Sequence, residues 1–168
     1  MDDIPPKEIE AIRKLFLPIG HIVIQWSFVD TNLELCLNII AEYYDDKNII
    51  NIKSRQQLTG RKITLFKKCL NELTSLISFK KEGLLIMQNA ENIGKKRNII
   101  IHGTYNGSNP DGSYNFHRLV FIKKKNQYSL EKHQYTLSEL NHLGKTIRGL
   151  AEDIAHLGFR LHPNKDKP

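Results

Sequence analysis

The run IVIQWSFVDTNLELCLNII, residues 22–40, decides the fold. Within it Ile22, Trp26, Val29, Leu33, Cys36 and Ile40 recur at steps of four and three. That is the period of a helix that buries one face, and it carries on to about Tyr44. Upstream, residues 1–6 read as a lead-in, with Pro5 and Pro6 suited to a first helical turn. The segment from Lys7 to Leu17 has a helical pattern, and Pro18 with Gly20 predicts a kink or a break before the main stripe.

Downstream, Asp45 to Lys53 reads as a polar connection with a small apolar insert. Ser54 followed by Gln57 fits a capping box and predicts the start of a second helix. Its stripe is Ile63, Phe66, Leu70, Leu73 and Ile77, with Gly60 an awkward interior residue. A third helix is expected from about Lys80 to Ile101, closed by Gly103 in the place where glycine commonly ends a helix. Gly103 to Asn115 reads as a loop, with Asn106-Gly107 and Asn109-Pro110-Asp111-Gly112 as turn signals. Phe116 to Ile122 and Gln127 to Tyr135 are β-prone runs joined by the lysine-rich turn Lys123 to Asn126, which predicts a β-hairpin. Thr136 and Glu139 form a second capping box. Leu140, Leu143, Ile147, Leu150, Ile154 and Leu157 then make a last amphipathic helix. There is no internal repeat. The pattern predicts a mostly α fold, a bundle of four to five helices with a β-hairpin inserted before the last helix. It predicts one domain over residues 1–161 and a flexible tail over 162–168.

Composition bounds the rest. A chain of 168 residues with 40% hydrophobic residues is the size of one domain and can bury a real core. No apolar run approaches the length that crosses a bilayer, so no membrane partner is expected. The start, MDDIPPKEIE, is acidic and lacks the basic-then-apolar order of a secretory signal, so a cytoplasmic location is expected. Cys36 and Cys69 sit among apolar residues and read as buried thiols, not as a disulfide or a zinc pair. The formal charge of +7 favours polyanionic partners, RNA among them, although lysine-rich surfaces often serve only solubility.

The chemistry-bearing residues stand at the end of the third helix, in Lys95-Lys96-Arg97-Asn98-Ile99-Ile100-Ile101-His102-Gly103. The apolar row Ile86, Ala90, Ile93, then Ile100 or Ile101, places Arg97 on the core-facing side, where a guanidinium must find partners. Asn98 and His102 are four apart and share a face. Arg97 and His102 lie about 140° apart around an ideal helix, too wide for easy contact. Arg97 is long, however, and a second copy of the helix across a twofold axis could bring such groups together. The plain alternative is a well-ended helix, since basic residues near a C-terminus gain about 0.3–1 kcal/mol each from the helix dipole. The spacing by itself also arises about once by chance in a chain of this arginine and histidine content.

The run RNIIIH resembles the signature of the HEPN superfamily, the higher eukaryote and prokaryote nucleotide-binding domains. That signature is an Arg, four to six residues and a His, often with a polar residue after the Arg. Arg97, Asn98 and His102 match those positions, at the end of the third helix of an expected bundle. Trp26, Asp30 and Leu33 look like the Trp-acidic-Leu run of some HEPN helices, with Asp30 read as a structural or solvated acid. The resemblance implies a metal-independent endoribonuclease, a homodimer with the motif at its interface, acting as a toxin or defence protein. Arg97, His102 and Asn98 would be its catalytic residues, with no cofactor and no metal ligand. It also raises an antitoxin protein as a partner. In HEPN toxins paired with minimal nucleotidyltransferases a Tyr stands two places after the His, whereas here Tyr105 stands three places after it. Tyr105 is therefore expected to pack the hairpin on the bundle.

The implied chemistry is sound. RNA supplies its own nucleophile, the 2′-OH. An imidazole ordinarily changes charge near neutral pH, so His102 suits proton transfer. Arg97 suits a phosphate as a planar fork, and Asn98 would orient either. The alternative is a HEPN-like module that binds nucleic acid or protein without cleavage. His117 and His133 on the hairpin, and His142 and His156 outside the last helix's stripe, show no ligand spacing. Lys123, Lys124 and Lys125 form a small basic knob that reads as a solvated tip, and Trp26 reads as core.

Overall fold

The computed structural model describes residues 5–50 and 58–163. Among them are four α-helices and a three-stranded antiparallel sheet that precedes the last helix, so the fold is mostly α, a helical bundle with a β-hairpin. Helix α1 spans Pro6–Tyr43, α2 Thr59–Glu72, α3 Lys80–His102 and α4 Leu137–Leu161, with a 3₁₀ turn at Thr74–Phe79. Strands β1 (Thr104–Ser108), β2 (Tyr114–Ile122) and β3 (Gln127–Tyr135) lie side by side in that order. The chain forms two compact units, residues 1–24 with 95–145, and residues 25–94 with 146–168.

Helix α1 runs through Pro18 without the expected break. An interior proline costs about 3 kcal/mol or more, because it lacks an N–H and its ring crowds the carbonyl four residues back. The buried row keeps its phase across the proline: Leu15, Pro18, Ile22, Trp26, Val29 and Leu33 are all buried. Each such large side chain contributes about 1.5–3 kcal/mol, so the row outweighs the proline. The carbonyl that loses its partner belongs to Lys14, on an exposed turn with Arg13 where solvent can replace the bond.

In the second unit, Val29, Leu33, Leu37 and Ile40 of α1 are buried, as are Ile63, Phe66 and Leu70 of α2. Met87 and Ala90 of α3 and Ile147, Ile154 and Leu157 of α4 join them. Asn32 Nδ2 donates to the Ala151 carbonyl at 2.9 Å and Tyr44 Oη to the Leu161 carbonyl at 2.7 Å, which fixes α1 against α4 in this unit. The expected α2 stripe ends early. After Glu72 the chain tightens to three residues per turn, which rotates the phase of the row. Leu73 and Leu76, three apart, are buried, and Ile77, expected in the core, is 71% exposed. The capping box at Ser54 and Gln57 lies outside the described residues, as does the tail over residues 164–168. His162, expected in the flexible tail, stacks at a tilt on Tyr43 with centroids 5.3 Å apart.

In the first unit, the stretch expected as a loop contains β1, paired with β2 through Thr104 opposite His117 and Tyr105 opposite Phe116. Its sequence, TYNGS, is short and polar, and its register shifts before Ser108, so it carries no alternating apolar signal. β2 begins at Tyr114, and β3 follows the expected bounds. The turn between them closes on Asn126 at φ 48°, a left-handed conformation that asparagine tolerates. Phe116 meets Tyr135 edge-on at 5.9 Å and Tyr105 at 6.3 Å, an aromatic cluster on the sheet's inner face. The Thr136 capping box forms as expected. Thr136 N–H donates to Glu139 Oε2 at 2.7 Å, and Glu139 N–H donates to Thr136 Oγ1 at 3.2 Å. These bonds hold the Glu139 carboxyl below its ordinary range, so this cap is present at neutral pH and is lost as pH falls through that lowered value.

Burial is the main cause pushing the Cys36 and Cys69 thiols up to about 12. Thiolate is the reactive form. The native protein at pH 8 is expected to take up no thiol reagent over minutes, and both cysteines are expected to react after unfolding in guanidinium. Fast labelling of either thiol in the native protein would contradict this packing.

Candidate functional site

The last two turns of α3 carry the three residues singled out from the sequence. Arg97 is half-buried, as its core-facing position requires, while His102 is exposed. Arg97 Nη1 donates to Asn98 Oδ1 at 3.0 Å and reaches His102 Nε2 at 3.2 Å. The angle that made direct contact unfavourable is bridged, and Arg97 and His102 meet within one chain. The reach of the arginine side chain and the place of His102 as the last residue of α3 close the 140° gap.

This contact fixes its own polarity. Arginine has donors and no acceptor, so Nη1–H donates and His102 Nε2 accepts. The lone pair therefore sits on Nε2, and in the neutral ring the proton sits on Nδ1. Both hydrogens of Nη1 are committed, one to Asn98 and one to His102. Burial lowers the Arg97 pKa from its ordinary value, and Nε is screened from solvent. The group still remains a cation at any working pH. Lys95 and Lys96, both exposed, add positive charge to the same turn.

Gly103 holds the site against the sheet for a reason different from the expected one. Its φ is not left-handed, unlike those of Gly107 (85°) and Gly112 (81°). Instead, a Cβ on Gly103 would lie 2.3 Å from the Ile99 carbonyl oxygen and 3.3 Å from that of His117. The prohibitive overlap is with the last turn of α3 itself, with the β2 carbonyl a tighter-than-usual neighbour beside it, so only a residue without a side chain fits.

Two other residues prove structural. The Tyr105 hydroxyl donates to Glu8 Oε1, and burial first, then Glu8, pushes its pKa up to about 12. Tyr105 also sits in the aromatic cluster with Tyr114 and Phe116, so it packs the sheet as expected. In the second unit, Asp30 accepts from Thr59 Oγ1 at 2.7 Å and from Lys62 Nζ at 2.8 Å, and Lys62 also reaches Glu34 at 2.8 Å. Burial would lower the Lys62 pKa, but the bonds to the two carboxylates outweigh it and raise the value. No local pattern points to this lysine, because its partners Asp30 and Glu34 stand on another helix, far from it in sequence.

Among the described residues, no group of three or more His, Cys, Asp or Glu side chains could hold a metal ion. No helix among them is long and apolar enough to cross a membrane. No protein-family model, curated protein or solved structure matches the chain.

Gly103→Ala is expected to destabilise the protein by about 2 kcal/mol through steric overlap at a packed helix end. Urea unfolding measures it. An unchanged midpoint would contradict the lack of room for a Cβ beside the Ile99 carbonyl.

Proposed function

We propose that this chain is a HEPN-type endoribonuclease that cleaves RNA without a metal ion, with Arg97, His102 and Asn98 as its catalytic residues. The observation that carries the reading is the 3.2 Å contact between Arg97 Nη1 and His102 Nε2 at an exposed helix end. It puts a cation and a proton acceptor within reach of one phosphodiester. In this reading a phosphate oxygen replaces His102 as the partner of Nη1. That releases the Nε2 lone pair beside the ribose. Nε2 takes the 2′-OH proton as the oxygen attacks phosphorus, and the bond to the 5′-oxygen breaks. The leaving oxygen takes a proton from water, and His102 returns its own to solvent, which leaves a 2′,3′-cyclic phosphate and a 5′-hydroxyl end. Arg97 stabilises the charge that builds up on the phosphoryl oxygens, and Asn98 holds the guanidinium in place.

A homodimer belongs to the same proposal. On the part of α1 in the unit that holds the site, Leu17 is 81% and Phe16 68% exposed, and Val23 and Ile24 are also exposed. Such a face on a helix whose other side is already core favours burial against a partner. A toxin or defence role, with an antitoxin as partner, in a cytoplasmic setting, is the biological form of the reading.

The test is incubation of purified protein with RNA in excess chelator. His102→Ala and Arg97→Ala are each expected to reduce cleavage at least about hundredfold, the usual scale for losing proton transfer or charge stabilisation. Arg97→Lys is expected to restore little, because an ammonium lacks the planar fork that grips two phosphoryl oxygens at once. Leu17→Glu is expected to shift sedimentation toward monomer. RNA left intact by wild type but still bound would overturn the enzyme and leave a non-catalytic binding module. Cleavage surviving both substitutions would overturn the site.

A further inference from the structure

The outer face of the β2–β3 hairpin is the least explained surface of the unit that holds the site. Direct cross-strand partners share a face. Leu119 opposite Leu130 and Phe121 opposite Tyr128 therefore form one patch. It is open: Tyr128 is 66% and Phe121 44% exposed, and both leucines are more than half exposed. The two rings lie 5.1 Å apart between centroids with planes inclined by 55°. A hairpin that only packed on the bundle would carry its aromatics inward, as Phe116 and Tyr135 do on the other face.

Charge selects the occupant. Lys123, Lys124 and Lys125 border the patch at the hairpin turn, and Lys132, opposite His117, lies at its other end on the same face. The nearest strand carboxylate, Glu131, points to the opposite face, opposite Arg118 and beside His133. Exposed aromatic rings bordered by lysines and free of carboxylates match a polyanion that also offers flat apolar faces. Unpaired nucleobases supply those faces, whereas a duplex keeps its bases stacked inside. The row also leads to the candidate site. Thr104, two residues past His102, is the partner of His117, and His117 lies about 13 Å along β2 from Phe121 at the usual strand rise.

We propose that this face binds single-stranded RNA, with bases stacking on Phe121 and Tyr128 and the backbone tracked by Lys123–Lys125 and Lys132. The proposal rests on the ribonuclease reading and names its substrate class as unpaired RNA. It gives the hairpin the role of a platform that holds the strand as it approaches Arg97 and His102.

The experiment measures equilibrium binding of a fluorescent single-stranded RNA to full-length protein carrying His102→Ala, so that the probe stays intact. Phe121→Ala and Tyr128→Ala are each expected to weaken binding roughly tenfold, the scale of one lost base–aromatic stack. Phe121→Tyr and Tyr128→Phe keep a ring and are expected to stay within about twofold. Replacing Lys123, Lys124 and Lys125 with Glu is expected to weaken binding and flatten its salt dependence. A duplex of the same sequence is expected to bind more weakly than the single strand. Unchanged affinity after ring removal, equal loss with the ring-keeping variants, or equal affinity for duplex would overturn the platform. So would ring-dependent capture by phosphatidylserine vesicles with RNA binding unaffected, which would make the face a membrane contact. The two readings fail separately. Ring-dependent binding by a wild type that leaves RNA intact overturns the nuclease alone, and cleavage indifferent to the rings overturns the platform alone.

Discussion

A guanidinium on the inward row of α3, half removed from solvent where the helix stops, constrains everything around it. Leaving such a charge unsatisfied would cost several kcal/mol, so the last turn is built to receive it. Asn98 and His102 accept from Nη1 at 3.0 and 3.2 Å. His102 must then present Nε2 as an acceptor. Directly after it, Gly103 leaves the helix where a Cβ would overlap the Ile99 carbonyl, and Thr104 begins the strand that pairs beside His117. A packing requirement thus sets a reactive geometry at an exposed edge.

Much of the fold was legible because its signals are periodic or local. The stripe from Ile22 to Ile40, the last helix and the Thr136–Glu139 cap depend on spacing within a few turns. Pro18 misled because a proline is a local signal and the apolar row that overrides it spans the whole of α1. The strand Thr104–Ser108 was hidden because an edge strand borrows its pairing from β2 and needs no pattern of its own. Ile77 was misplaced because a 3₁₀ turn after Glu72 changes the period, and nothing in the residues from Thr74 to Phe79 announces that change. Lys62 was invisible because its partners, Asp30 and Glu34, are distant in sequence.

The candidate site was legible as three residues and misjudged as geometry. Helical angles place Arg97 and His102 apart at the backbone, and the length of the arginine side chain, not a second copy of the helix, spans the gap here. The sheet adds what the motif could not. Its inner face spends its aromatics on packing, through Tyr105, Phe116 and Tyr135, while its outer face leaves Phe121 and Tyr128 to solvent beside lysines. One short antiparallel sheet therefore both braces the end of α3 and offers a surface of different character beside it.

The central claim is that Arg97 donates to Nε2 of His102 inside a single chain. Nitrogen-15 spectra of the imidazole read this directly at a pH where the ring is neutral. The account predicts the Nδ1-protonated form, with Nε2 as the bare nitrogen, and a shift toward the ordinary tautomer mixture in Arg97→Ala. A wild-type ring protonated mainly on Nε2, or one unchanged by removing the arginine, would contradict it.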